Sequence, residues 1–189
     1  MEKVDLVIRN GMVIRNDRCS DETIAVNGGK IVGILDKNFA VDAREVVDAQ
    51  GLAILPGAVD AHSHIWEPTD YEYRENFYTG TCAAAAGGIT TIIEMPLSVP
   101  PVFDEKSFNI RYERAKSSVI VDFALWGSFI PGAVPHFGEL AGLGCVAYKA
   151  FLSHANPNYP HADDFCLLKG MKELGKIQGL VGVHAENYS

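Results

Sequence analysis

The feature that most limits how this chain can fold is a rhythm that starts near Leu52. Apolar segments at 89–94, 119–126, 145–152 and 180–186 alternate with segments of helical character at 75–86, 104–117, 135–141 and 163–176. The apolar segments (ITTIIE, VIVDFALW, CVAYKAFL, LVGVHAE) are nearly unbroken, as strands covered on both faces should be. Gly87-Gly88 supplies a helix stop, and Asp104 and the Asp163-Asp164 pair supply N-caps. Alternation of strand and helix predicts an α/β fold with a parallel sheet. With the segment AVDA at 58–61 as a first strand, four of the five strands end in polar residues: His62 and His64, then Glu94, then Lys149, then His184 with Glu186 and Asn187. That placement predicts a (β/α) TIM-type barrel whose site lies at the C-terminal strand ends. Residues 52–189 amount to about half of the ~250 that eight units need, so a fragment of a longer barrel is expected.

Residues 1–51 read differently. Val4, Leu6 and Ile8 alternate with polar neighbours, Asn10-Gly11 is a hairpin signal leading into 12–14, and 16–22 reads as a polar loop. Segments 23–26 and 31–35 flank a second hairpin signal, Asn27-Gly28-Gly29-Lys30, and 46–47 is a last short strand. This is a small β module without visible chemistry. The net charge of −8 argues against nucleic acid or an anionic membrane as partner. Cys19, Cys82, Cys145 and Cys166 show no CxxC spacing and read as reduced thiols of a cytoplasmic protein. The start, MEKVDLVIRN, is no signal peptide, and no apolar run reaches the ~20 residues of a membrane span.

The chemistry is concentrated at the strand ends. On a strand, residues i and i+2 share a face, so His62 and His64 aim two imidazoles into one space, a pair of metal ligands. Lys149 lies inside an apolar strand, where a bare ammonium is costly. Two readings stand: a lysine whose head reaches water, or an amine whose pKa falls far enough to add CO2 and become a carbamate. His184 is either a hydrogen-bonded core histidine or a further ligand at the same mouth. Glu94 is either a bond within the strand ends or a partner for a ligating histidine.

Four stretches in order, PGAVDAHSH, TGTCAAAAGGITTIIEMPLSVPP, YKAFLS and VGVHAEN, resemble the cyclic amidohydrolases, the family of allantoinase, dihydropyrimidinase/hydantoinase and dihydroorotase. The resemblance implies a metal-dependent hydrolase of cyclic amides, acting in purine metabolism, with two divalent cations. His62 and His64 would bind one, His184 the other, and a carboxylated Lys149 would bridge them. Such ligands suit zinc first, and also iron, cobalt, nickel or manganese. It further implies that residues 1–51 are half of a composite β-sandwich, that 52–189 is the first half of the barrel, and that the protein forms homo-tetramers. A histidine ligand and the aspartate serving as general base would lie beyond Ser189, so the chain alone is expected to be inactive. Within the family the likeness leans to allantoinase, through Glu67-Pro68, AAAAGGITT, MPLSVPP and Asn158 to His161, which implies opening of allantoin to allantoate. Trp66 replaces the arginine of dihydroorotase-like sequences, Glu94 a usual aspartate, and Ser98 the asparagine of allantoinases. Dihydropyrimidinase or hydantoinase is the alternative enzyme, and a non-catalytic scaffold is the alternative of another class.

The remaining candidates are weaker. His154 and His161 follow the Lys149 strand and are either substrate contacts or a solvated loop; His136 reads as structural. Tyr71, Tyr73 and Arg74 are either a lid or surface aromatics. Neither glycine pair has the company of a phosphate loop.

Overall fold

The computed structural model describes residues 3–16, 18–65, 67–155 and 157–186. Trp66 and Asn187 lie outside the described residues. The chain divides into two compact units, Met1–Pro56 and Gly57–Ser189.

The first unit holds β1 (Val4–Arg9), β2 (Met12–Arg15), β3 (Arg18–Asn27), β4 (Lys30–Asp36), β5 (Ala43–Asp48) and β6 (Ala53–Ile54). The sheet order is β5-β1-β3-β2-β6, with β4 also paired to β3. The hairpin at Gly28-Gly29 forms as expected: both glycines have positive φ (58° and 73°), which a tight two-residue turn requires, and Asn27 faces Lys30. Asn10-Gly11 makes no hairpin. Strands β1 and β2 lie end to end along β3, with Ile8 opposite Ile24 and Met12 opposite Asp21, so one extra residue bulges out between them. Asn10 takes the left-handed conformation there (φ 64°), and its side-chain amide donates to Asp48 Oδ1 at 2.9 Å. Most of the expected polar loop at 16–22 is strand instead, because β3 must be long enough to serve both partners. Residues Ala53–Ile54 pair with β2 and so belong to this sheet rather than opening the second unit.

The second unit holds β7 (Ala58–Ser63), α1 (Phe77–Ala86), β8 (Ile89–Glu94), α2 (Glu105–Ser118), β9 (Asp122–Ser128), α3 (Phe137–Leu143, after a single 3-10 turn), β10 (Cys145–Phe151), α4 (Asp164–Lys176) and β11 (Val181–His184). All adjacent pairs are parallel, and spatial order follows chain order from β7 to β11. A doubly wound sheet reverses direction part-way, whereas unbroken order with right-handed crossovers puts every helix on one face and curls the sheet into a barrel arc. Each long helix starts on a side-chain cap. Asn76 accepts from Thr79 N at 2.9 Å, Asp104 from Ser107 N at 2.8 Å and Asp163 from Cys166 N at 2.7 Å.

The core between strands and helices is aromatic. The rings of Phe129, Phe137 and Tyr148 stack at 5.1 and 4.5 Å, and the Tyr148 hydroxyl donates to Phe137 O at 2.6 Å. Gly170 lets α4 approach this cluster, since a Cβ there would lie 2.1 Å from Phe129 Cζ. Across the other face, the Trp126 indole from β9 donates to Ala61 O of β7 at 3.2 Å and reaches to Gly182 of β11. No helix among the described residues is long and apolar enough to cross a membrane.

Candidate active site

The C-terminal ends of β7, β8, β10 and β11 carry the polar residues, and each is held differently. On β7 the ladder to β8 lapses between Asp60 and Ser63, so the chain leaves regular pairing at Ala61 and His62. Asp60 Oδ1 accepts from His62 N at 3.0 Å and keeps the local turn. Strand β7 ends at Ser63, one residue before His64. The two imidazoles still converge, with Nε2 atoms 3.2 Å apart and ring centroids at 5.1 Å. Strand alternation alone is therefore not the cause; the irregular end of β7 brings the rings together.

His64 is lowered to about 4, first by burial and then by the positive charges of His62, Lys149 and Arg111, against the pull of Asp60. A neutral His64 offers a lone pair at neutral pH, as a metal ligand must. Lys149 is buried at 6% exposure, and burial holds its pKa below the usual lysine range. Its Nζ lies 5.2 Å from the centre of the Phe151 ring, and among the described residues it makes no hydrogen bond or ion pair. The Lys149 carbonyl accepts from Tyr159 Oη and from Phe129 N, both at 2.7 Å, which fixes the strand around the amine.

His184 ends β11 opposite Phe151 and its ring packs on that phenyl at 5.3 Å. Its Nε2 faces Glu186 Oε1 at 3.1 Å. The structure thus brings both His62 and Lys149 into electrostatic reach of His64, while the side-chain contacts of His184 are to Phe151 and Glu186. Among the described residues no group of three or more His, Cys, Asp or Glu side chains is gathered tightly enough to hold a metal ion. The donor types suit cations: two converging imidazoles, with His64 held unprotonated.

Glu94 touches no histidine ring. It is 1% exposed and accepts from Ser63 Oγ at 2.8 Å, Ile65 N at 2.7 Å and Arg111 Nη2 at 2.6 Å. Burial raises its pKa above the usual carboxylate range, and these three donors oppose that rise. Arg111 was not foreseen, although a signal existed: Ser107, Phe108, Arg111 and Ala115 form one buried face of α2, with an arginine in an apolar phase. Glu67, which is 7% exposed, accepts from Phe77 N at 2.7 Å and pairs with Arg114 at 3.3 Å, anchoring the loop after His64 to α1 and α2.

A cavity of about 110 Å³ opens among the loops after β7, β8 and β10, lined by Asp70, Tyr71, Leu97, Ser98, Val99 and Tyr159 among others. Tyr71 is on its wall, with Arg74 stacked over its ring at 4.9 Å, whereas Tyr73 is 77% exposed. The His154 and His161 rings meet edge-on at 4.6 Å beside a separate open groove. His136 pairs with Glu139 at 2.8 Å, a local surface contact.

Relatives share this arrangement of strands. An allantoinase of Rubrobacter xylanophilus is 43% identical over 99% of the chain, and an allantoinase of Escherichia coli is 39% identical over 97%. The chain is similar to the cyclic amidohydrolases over nearly its whole length. It matches their N-terminal part, spanning 41% of the length of each of these relatives. Among solved structures, the L-hydantoinase (dihydropyrimidinase) of Arthrobacter aurescens superimposes with a TM-score of 0.91 at 31% identity, covering 97% of the chain and 41% of that protein. The dihydropyrimidinase of Brevibacillus agri superimposes with a TM-score of 0.81 at 29% identity, covering 96% and 40%. No family model matches the chain. The amidohydrolase sheet is thus the first arc of a TIM-type barrel, entered from a β module.

Proposed function

We propose that the complete enzyme, this chain joined to the rest of its barrel, hydrolyses a ring C–N bond of a cyclic amide, with allantoin as the leading substrate. One observation carries the reading: two converging imidazoles, His64 of which is held unprotonated, and a buried lysine without a counter-charge among the described residues share the C-terminal rim of a parallel sheet. In this reading His62 and His64 would hold one divalent cation, His184 would serve a second, and Lys149 would serve both. The Lys149 amine adds to CO2, a new N–C bond forms, a proton leaves to solvent, and the resulting carbamate supplies the missing negative charge. Bound cations would supply an acidified water and a Lewis acid for the ring carbonyl. The chain's own part is to keep His64 unprotonated and to hold the amine at the strand end with its charged form disfavoured by burial. The allantoinase relatives favour allantoin, and the likeness to an L-hydantoinase favours a hydantoin or dihydropyrimidine as the second reading.

The test is steady-state turnover of allantoin, hydantoin and dihydrouracil by the complete enzyme, before and after removal of metal by a chelator. Allantoin should be turned over fastest and only by the metal-loaded protein. Preference for dihydrouracil would replace the substrate, and metal-independent turnover would overturn the site.

A further inference from the structure

We infer that Glu94 and Arg111 form a buried clamp that sets the spacing of His62 and His64, acting as positioning residues for the cation these histidines hold. The inference rests on the proposed metal-binding role of that pair.

The β7–β8 ladder lapses between Asp60 and Ser63, and β7 ends at Ser63, so hydrogen bonds other than the ladder help to fix this stretch. Ala61 O accepts from Trp126 and Ser63 O from Met95 N, and the two bonds on either side of His64 come from one carboxylate. Glu94 Oε2 takes the hydroxyl of Ser63, the residue between the two histidines, and Oε1 takes the N–H of Ile65, the residue after the second. Arg111 Nη2 bonds Glu94 Oε1 at 2.6 Å and also donates to Ile65 O at 3.2 Å. Both polar groups of the Ile65 backbone are thus tied to one ion pair, whose side chains are each 1% exposed. His64 is bracketed by residues that the clamp holds.

Stability does not account for such a pair. Desolvating two charges takes back most of their attraction, and apolar side chains of similar volume often serve as well. Here Arg111 Nε and Nη1 are buried without a hydrogen-bond partner among the described residues, which adds to the cost. What the pair does provide is direction. Its bonds all end on the segment carrying the histidines, and a ligand pair must be held within a few tenths of an ångström to bind a cation tightly.

The test separates position from folding. Ser63→Ala removes one bond of the clamp without unpairing a charge, and Ser63→Thr restores the hydroxyl. Zinc affinity is measured by competition with a chromophoric chelator on the complete enzyme stripped of metal, together with the visible spectrum of the Co(II)-loaded protein. Wild type should bind zinc. Ser63→Ala should bind about tenfold more weakly and show an altered Co(II) spectrum at an unchanged melting temperature, and Ser63→Thr should recover both. Glu94→Gln should weaken zinc further, with a loss in kcat rather than a rise in KM at saturating metal. If wild type binds no zinc, the metal-site reading fails. If wild type binds zinc and Ser63→Ala binds it equally well with the same spectrum, the clamp is overturned while the site stands.

Discussion

Trp126 Nε1 lies 3.2 Å from the carbonyl of Ala61, two strands away, while the far edge of the same indole would sit 2.9 Å from a Cβ on Gly182, two strands in the other direction. One side chain from the middle strand therefore spans the arc from β7 to β11. A flat sheet would keep these edge strands too far apart for a single indole, so the contact measures the curl that aims the strand ends at a common centre.

This relationship predicts that Gly182→Ala is destabilising. The added methyl would press on Trp126 Cζ3 at 2.9 Å, and overpacking of this kind costs about 1–3 kcal/mol. Trp126→Phe relieves the clash but gives up the bond to Ala61 O, worth about 1 kcal/mol. In urea denaturation the double variant should be more stable than the sum of the two singles implies. Simple additivity would mean that the ring does not press on β11.

Lys149 should behave as a residue held for function rather than for stability. Its ammonium has no counter-charge among the described residues and burial disfavours its charged form, so in metal-free protein Lys149→Met should leave the denaturation midpoint unchanged or raise stability by about 1 kcal/mol. The same variant should lose the metal shared through the carbamate and with it turnover. A large loss of stability in Lys149→Met would show that the lysine is a structural member of the strand.

Much of this was legible in the residues. The strand–helix rhythm from Ile89 onward, the caps at Asp104 and Asp163 and the turn at Gly28-Gly29 are local signals, and local signals survive folding. The errors arose where a distant partner decides. Asn10-Gly11 has hairpin chemistry, yet β3 is long enough to pair with both flanking strands, so the dipeptide becomes a bulge. Glu94 stood out as a charge ending an apolar strand, but its partner Arg111 is on the next helix, and no spacing rule links them. The histidine pair was anticipated for a simpler reason than the real one, since a regular strand ends before His64. His184 was expected at the mouth with the other ligands, and it ends its strand there, but its bond to Glu186 is a loop contact beyond reach of strand periodicity.

The Asp104 cap gives a pH-dependent prediction away from the site. Burial pushes its carboxyl up, but the Ser107 hydroxyl and N–H, with His136 and Lys106, more than offset this and hold it below its ordinary 3.8. A carboxyl whose folded pKa is depressed contributes stability above the unfolded value, and that contribution is lost as pH falls through the folded value. Asp104→Ala should therefore cost about 1 kcal/mol at pH 7, and the gap to wild type should close below pH 3.8. Asp104→Asn keeps an acceptor without the proton equilibrium, so its stability relative to Asp104→Ala should not change over the same range. A gap that persists unchanged into acid would show that the cap does not depend on the charge of Asp104.

Metal stoichiometry can divide the ligands. His62 and His64 converge on each other, whereas His184 faces Phe151 and Glu186, so the two sets should fail separately. In the complete enzyme, elemental analysis after dialysis should find two metal equivalents in wild type. His184→Ala should retain close to one, because the imidazole pair on β7 is untouched. His62→Ala should lose at least the other, since a single imidazole at His64 binds a cation orders of magnitude more weakly than a converging pair. Turnover should fall by about a thousandfold or more in both, as expected when a group acting directly on the reacting water or carbonyl is removed. Should His184→Ala keep both equivalents and normal turnover, its bond to Glu186 is structural, and the second cation must draw its ligands from elsewhere in the barrel.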